Sequence, residues 1–176
     1  MARGNAARPS SNDSGGSGRA AMALAVSAAV RRPSTLPPVG TVSLRLATPA
    51  DAEQIGAIYN HEVLNGTSTF DLVPRSRDDQ LAWQAARSGA FATIVAVEAG
   101  TTAGEEVVGF GALSPYKERA AYRTSVEDSV YVRTDRGGRG IGRQILEELL
   151  SVAAGSGFHA VFARIVGGHE ASIRLH

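Results

Sequence analysis

Short segments with apolar or alternating patterns predict five β-strands along this chain. Val42, Leu44 and Leu46 alternate with less apolar neighbours, which is typical of a strand with one buried face. The predicted strands cover residues 42–46, 91–97, 107–113, 125–133 and 158–166.

Apolar residues at helical spacing predict three helices and the beginning of a fourth. The first begins at Pro49, a residue suited to the first turn, with Thr48 as its N-cap. The others cover residues 77–87, 140–153 and, for the helix that only begins, 171–176. The helix over 140–153 carries its apolar residues on one side.

The order of these elements indicates the fold class. Strands 91–97, 107–113 and 125–133 follow each other without helices, so we expect an antiparallel meander. The later strand–helix–strand unit adds a parallel pair through a right-handed crossover. We therefore predict an α+β fold with a mixed, mostly antiparallel sheet flanked by helices.

Residues 1–40 differ in composition from the rest, so we divide the chain into a disordered N-terminal extension (1–40) and a folded domain (41–176). The extension holds the polar tract SSNDSGGSG and the proline-rich tract RRPSTLPPVG. Its Ala, Ser and Arg content also fits a transit peptide for organelle import, although we favour an unstructured tail in a cytoplasmic protein. No apolar run reaches the ~18–20 residues needed to span a membrane.

Composition excludes several kinds of site. The chain has no cysteine, which excludes disulfides, thiolate zinc sites and cysteine nucleophiles. Its four histidines lack the spacing of a zinc-binding helix, so we expect no metal. Net charge is +1, and the part after residue 40 is acidic, which argues against nucleic acid as a partner.

The stretch SVYVRTDRGGRGIGRQILEELL (129–150) predicts an anion site, most plausibly for a phosphate. A strand leads into a loop containing Gly137, Gly138 and Gly140, and the loop leads into a helix. Glycines permit close approach of the backbone, and helix N-termini attract anions. No Gly-Lys-Ser/Thr follows, which excludes a Walker loop. A mobile basic loop is the alternative.

Two further features are candidates for chemistry. Glu127 shares a strand face with Ser129 and Tyr131, where a carboxylate is suited to act as a general base; an exposed edge carboxylate is the alternative. The segment YKERAAYR (116–123) can bind an anionic group or be a solvated loop.

Four blocks together resemble the GNAT acetyltransferases, more narrowly the phosphinothricin and methionine sulfoximine N-acetyltransferase group. The blocks are YNHEVLNGTSTFD, SPYKERAAYRTSVEDSVYV, GRGIGRQILEELL and ASIRLH. The resemblance implies a GNAT-like sheet and an enzyme that transfers acetyl from acetyl-CoA to the primary amine of a small amino acid analogue. Transfer is expected to be direct, in a ternary complex. A homodimer is left open.

The resemblance also implies roles for individual residues. It places the general base at Glu127 and a second active-site residue at His176. The residues implied to contact the amino acid substrate are Phe70, Lys117, Arg119 and Tyr122. Those implied to hold acetyl-CoA are Tyr131 and Val132, through their backbone, and Arg139, Gly140, Gly142 and Arg143, at the pyrophosphate.

This sequence departs from the family pattern at three points. Gly137 stands where the family carries Arg or Gln, and His169 stands where it carries Asn. The family also continues beyond the position of His176 with two more strands, so we expect a domain that is incomplete at its C-terminus, with an exposed sheet edge. The alternative function is therefore a truncated, non-catalytic remnant that at most binds CoA.

Overall fold

The computed structural model describes residues 22–27, 42–99 and 104–176. Its strands are β1 (Met22–Ser27), β2 (Ser43–Leu46), β3 (Ile94–Ala99), β4 (Glu105–Pro115), β5 (Ser125–Val132) and β6 (Ala160–Val166). Its α-helices are α1 (Ala52–Asn65), α2 (Arg77–Ala85), α3 (Ile141–Gly155) and α4 (Glu170–Leu175).

The strands form one sheet in the order β1-β6-β5-β4-β3-β2. β3, β4 and β5 are successive antiparallel neighbours, as the meander predicted. β6 returns beside β5 in parallel, after α3. The prediction of a mixed, mostly antiparallel α+β sheet is therefore confirmed.

Local capping explains where the first two helices begin. The Asp51 carboxylate accepts hydrogen bonds from the Thr48 backbone at 2.7 Å and the Thr48 hydroxyl at 2.9 Å, and a single 3-10 turn, Pro49–Asp51, leads into α1. Ser76 and Asp79 make the equivalent reciprocal pair at the start of α2. Arg45 holds buried Asp51 through two further bonds, which ties α1 to the neighbouring strand β2.

Each face of the sheet has its own apolar core. On one face, α3 packs Ile145 and Leu149 against β4, where a Cβ built on Gly111 would lie 2.5 Å from Ile145 Cγ2. On the opposite face, α1 packs Ile55 and other side chains against Phe110. The bare backbone at Gly111 is therefore what lets α3 approach the sheet closely.

Six residues of the N-terminal segment, which was predicted to be disordered, form a strand. β1, within the stretch predicted to be disordered, pairs antiparallel with β6 from Met22↔Val166 to Ser27↔Val161. The edge of β6 that was expected to be exposed is therefore covered by a strand from the other end of the chain. The rest of residues 1–40 lies outside the described residues, so disorder there stays a prediction.

Candidate active site

A cleft opens where two neighbouring strands separate. β5 and β6 pair at only three positions, from Ser125↔Ala160 to Glu127↔Phe162. Beyond them, a cavity of about 1150 Å³ lies between residues 128–132 of β5 and residues 163–166 of β6. Along the cleft, alternate residues of β5 direct their backbone N–H and C=O groups away from β4, where an extended ligand with amides can bond to them.

The N-terminus of α3 forms one rim of this cleft. Gly138 and Gly140 have φ of 73° and 77°, a left-handed conformation that side chains with a Cβ rarely adopt. Gly140 immediately precedes α3, and Gly140, Gly142 and Arg143 all line the cavity. The first N–H groups of a helix and the positive end of its dipole are suited to an anion, as the sequence predicted for this loop.

Glu127 lies at the last position where β5 and β6 still pair, at the apex of the cleft. Its carboxylate is 14% exposed and accepts a hydrogen bond of 2.6 Å from Arg164 Nε on β6. The same face of β5 carries Tyr131, which pairs with Phe110 on the neighbouring strand β4. Glu127 therefore points to the sheet face that α1 covers.

Asp128 points to the opposite face, because adjacent residues of a strand alternate. There its buried carboxylate lies 2.9 Å from His176 Nε2, while His176 Nδ1 lies 2.9 Å from the Ser172 carbonyl oxygen. Carbonyl and carboxylate oxygens are both acceptors, so both ring nitrogens must donate. The geometry thus favours a doubly protonated His176 ring, which donates to both oxygens.

The electrostatics of His176 agree with this assignment. Burial by itself lowers the pKa of His176, since it disfavours the charged ring. The hydrogen bonds to Asp128 and to the Ser172 carbonyl, with the charge of Asp128, outweigh burial, so the pKa lies above its ordinary value. The direction of this shift favours the protonated form of the His176 ring.

The segment after α1 closes the cleft from the side of α4. Ser68 donates to Glu62 at 2.9 Å and lies 3.3 Å from His169 Nε2. His169 Nδ1 accepts from the Ser172 backbone N–H at 3.1 Å, which caps α4 and leaves the ring proton on Nε2, directed at Ser68. His169 thus links this segment to the helix that carries His176.

Residues 57–176 match the sequence profile of the Acetyltransferase (GNAT) family. The chain belongs to this family. It is 34% identical over 143 residues to the phosphinothricin N-acetyltransferase of Streptomyces coelicolor, covering 80% of this chain and 82% of that protein. It is 38% identical over 137 residues to an L-methionine sulfoximine/L-methionine sulfone acetyltransferase of Pseudomonas paraeruginosa, covering 77% of each.

Solved structures agree with these relatives. A GNAT superfamily phosphinothricin acetyltransferase from Sinorhizobium meliloti, solved with acetyl-CoA, superposes with a TM-score of 0.70 at 35% identity, covering 77% of this chain and 72% of that one. A Salmonella typhimurium acetyltransferase, solved with acetyl-CoA, gives 0.71 at 34%, covering 77% and 76%. The predicted family, enzyme class and cosubstrate, acetyl-CoA, are therefore confirmed.

Acetyl-CoA fits the cleft of this GNAT domain on two observations. Among the described residues, the side of β5 that faces away from β4 has no strand partner beyond Glu127, which leaves the backbone groups of Val130 and Val132 beside the cavity. The backbone of Tyr131, predicted to hold the cofactor with that of Val132, instead faces β4, because Arg133 and Ser125 bond to β4 and alternate residues of a strand share a direction. The α3 rim supplies N–H groups to a pyrophosphate. The Tyr131 ring packs against Phe110 and Tyr59, and burial raises its pKa to about 12.

Arg139 does not join the other predicted phosphate ligands. Its Nη2 lies 2.8 Å from Glu98 Oε1 on β3, and Arg139 is not among the residues that line the cavity. Arg136 Nε donates to the same carboxylate at 3.1 Å. Glu98 therefore links the loop to β3 and holds the Arg139 guanidinium outside the cavity. Arg143 remains at the rim, paired with Glu147 at 2.8 Å.

Of the four predicted substrate residues, one lines the cavity and three do not. Phe70 lines the cavity and is 66% exposed. Lys117, Arg119 and Tyr122 do not line it, because the loop that carries them precedes β5, at the end of the strand opposite to the cleft. Lys117 Nζ instead lies 5.5 Å from the centre of the Tyr122 ring. The structure does not bring these three residues to the cleft.

Arg164 and Asp128 also line the cleft, although neither was predicted from the sequence. Arg164 contacts Glu127 across two strands that are 37 residues apart in the chain, and no spacing rule predicts that register. Asp128 carried a usable signal: it follows Glu127 on a strand whose other residues on that face are valines, and a buried carboxylate requires a partner.

Two features are absent from the described residues (22–27, 42–99 and 104–176). No helix there is both long and apolar enough to cross a membrane. No group of three or more His, Asp and Glu side chains in those ranges is arranged to hold a metal ion.

Proposed function

We propose that this GNAT domain transfers acetyl from acetyl-CoA directly to the primary amine of a small amino acid analogue of the phosphinothricin or methionine sulfoximine type. The observation that carries the proposal is the separation of β5 and β6 immediately after Glu127, which puts a carboxylate at the apex of the cleft. The names of the relatives supply the substrate type.

In this mechanism Glu127 accepts a proton from the substrate ammonium, directly or through water, and so produces the nucleophilic amine. The amine nitrogen forms a bond to the acetyl carbon and loses a second proton to solvent, and the bond from that carbon to sulfur breaks. His176, whose pKa is raised by its hydrogen bonds to Asp128 and the Ser172 carbonyl, donates a proton to the departing thiolate. No acyl-enzyme is needed, and the chain contains no cysteine to form a thioester.

The neighbouring groups support a division of labour between these residues. Glu127 is partly exposed on one side of β5, where the amine can approach. His176 is 9% exposed and held by two hydrogen bonds, so it is oriented before any ligand binds. Phe70 at the cavity wall offers apolar surface for the substrate side chain. Lys117, Arg119 and Tyr122 stay predicted substrate residues, outside the cavity wall.

The test is an acetyl-CoA-dependent assay of thiol release by the purified chain. The amine panel contains L-phosphinothricin, L-methionine sulfoximine and L-methionine sulfone, with lysine and a simple alkylamine for comparison. We expect turnover with the first three and mass-spectrometric N-acetylation of each. Calorimetric binding of acetyl-CoA without turnover of any amine would favour the alternative, a CoA-binding protein without catalysis. Absence of binding would contradict both functions.

A further inference from the structure

The Arg164 side chain forms part of the cleft but has no place in the mechanism above. It projects from β6 on the same sheet face as Glu127, lines the cavity and is 49% exposed. Its Nε donates to Glu127 at 2.6 Å. Within the described part of the chain, neither of its two Nη atoms has a hydrogen-bond partner.

This arrangement leaves half of a guanidinium fork available at the proposed base. A guanidinium offers five donors in a plane, and Glu127 uses one of them through Nε. Carboxylates, sulfonates and phosphinates are the groups that match such a fork.

We propose that Arg164 is a specificity-determining residue that binds the α-carboxylate of the substrate. This inference rests on the proposed function. An α-amino acid is a zwitterion, with an ammonium and a carboxylate on one carbon. When this zwitterion binds, the ion pair between Glu127 and Arg164 is replaced by two new ones. The substrate ammonium contacts Glu127, and the substrate carboxylate contacts Arg164.

The exchange explains selectivity through charge balance. A zwitterion leaves neither Glu127 nor Arg164 without a counter-charge in a partly desolvated cleft. A simple amine compensates Glu127 but leaves the Arg164 guanidinium without a carboxylate. Amines that lack an adjacent acidic group are therefore disfavoured, and the site selects amino acids over their decarboxylated analogues.

The experiment compares L-methionine sulfone with its decarboxylated analogue, 3-(methylsulfonyl)propylamine, in the thiol-release assay. We expect the wild-type chain to prefer the amino acid by about 100-fold in kcat/KM. Arg164→Gln should lower kcat/KM for the amino acid by about the same factor, mainly through KM. The same variant should leave the amine unchanged or improve it, because Glu127 is then free.

A matched control and a conservative variant complete the test. Arg77→Gln removes an exposed arginine from the start of α2, outside the cavity, and should behave as wild type. Arg164→Lys keeps the charge but loses the fork, so we expect an intermediate loss confined to the amino acid. If circular dichroism shows that Arg164→Gln does not fold, Arg164→Lys is used in its place, and the criterion stays a loss of kcat/KM for the amino acid but not for the amine.

The outcomes separate the inference from the proposed function. Equal losses for both substrates in the Arg164 variants, or no loss for either, would overturn the role of Arg164 while leaving acetyl transfer intact. A wild-type chain that acetylates neither compound would contradict the proposed function itself. A loss restricted to the amino acid supports the inference.

Discussion

Two neighbouring acids on β5 occupy different environments. Glu127 is partly exposed at the apex of the cleft and is paired with Arg164, whose side chain is half exposed. Asp128 is 2% exposed and is paired with His176, which is also buried and has a second bond to a carbonyl. One pair is placed to exchange partners with a ligand, whereas the other is fixed. Strand alternation therefore puts the proposed base, Glu127, and the buried Asp128 on opposite faces of one cleft.

The largest effect is expected from Glu127→Gln. The amide cannot accept the ammonium proton, so kcat/KM for the amine should fall by about 10²–10³-fold, the range of general-base catalysis. The acetyl-CoA affinity measured by calorimetry should stay near the wild-type value, because the proposed cofactor contacts are elsewhere. Glu148→Gln, at an exposed position of α3, is the control. Equal rates for wild type and Glu127→Gln would remove the base assignment.

A substitution on the Asp128 side tests how tightly that face is packed. In Gly111→Val the added Cβ would lie 2.5 Å from Ile145 Cγ2 and 3.1 Å from the Ser129 carbonyl oxygen. Overpacking of this kind costs about 1–3 kcal/mol of unfolding free energy, to be measured by urea denaturation. Gly155→Ala, where nothing lies within 4 Å, should cost far less. Similar losses for both variants would contradict the packing described.

The cofactor rim can be altered separately from both acids. Gly140→Val places a β-branched residue at φ 77°, which costs about 1–3 kcal/mol unless the loop rearranges. We expect the acetyl-CoA affinity to fall by about tenfold or more in calorimetry, since rearrangement moves the N–H groups at the start of α3. Gly155→Ala, at the far end of the same helix, again serves as the control. An unchanged Kd in Gly140→Val would place the pyrophosphate elsewhere.

The smallest effect concerns stability against pH. The pKa of His176 is raised in the folded protein, so its pair with Asp128 stabilises the fold fully below the ordinary value of 6.5. This contribution, about 1 kcal/mol, is lost as the pH rises through the folded pKa. Urea denaturation at pH 5.5 and 9 should show the difference in wild type, and His176→Gln should remove it. An identical pH dependence in that variant would assign the effect to another group.

The parts that were predictable from sequence are those with local causes. The meander, α3 and its preceding loop follow from periodicity and glycine content, and all three lie where expected. β1 was not predicted because its partner β6 lies more than a hundred residues away in the chain. Without knowledge of that partner, a short apolar segment does not indicate a strand. The same limit applies to Arg164, whose contact with Glu127 depends on strand register.

The site was predictable in its centre and less so at its periphery. The family resemblance named Glu127, His176, Gly140 and Gly142, and all four line one cavity. It did not reveal where charged side chains point. Arg139 turns to Glu98 because that carboxylate is within its reach across the sheet, a contact that no linear pattern contains.

The most direct test of the two-sided site is the pH dependence of kcat/KM for L-methionine sulfone in wild type, Glu127→Gln and Asp128→Asn. We expect the wild-type rate to fall at alkaline pH, as His176 loses its proton. In Asp128→Asn the bonds and charge that raise the pKa of His176 are weakened while burial remains, so the fall should move to lower pH. In Glu127→Gln, kcat/KM should be lower at every pH, and its alkaline decrease should occur at the same pH as in the wild type. An Asp128→Asn profile that superposes on that of the wild type would contradict the account.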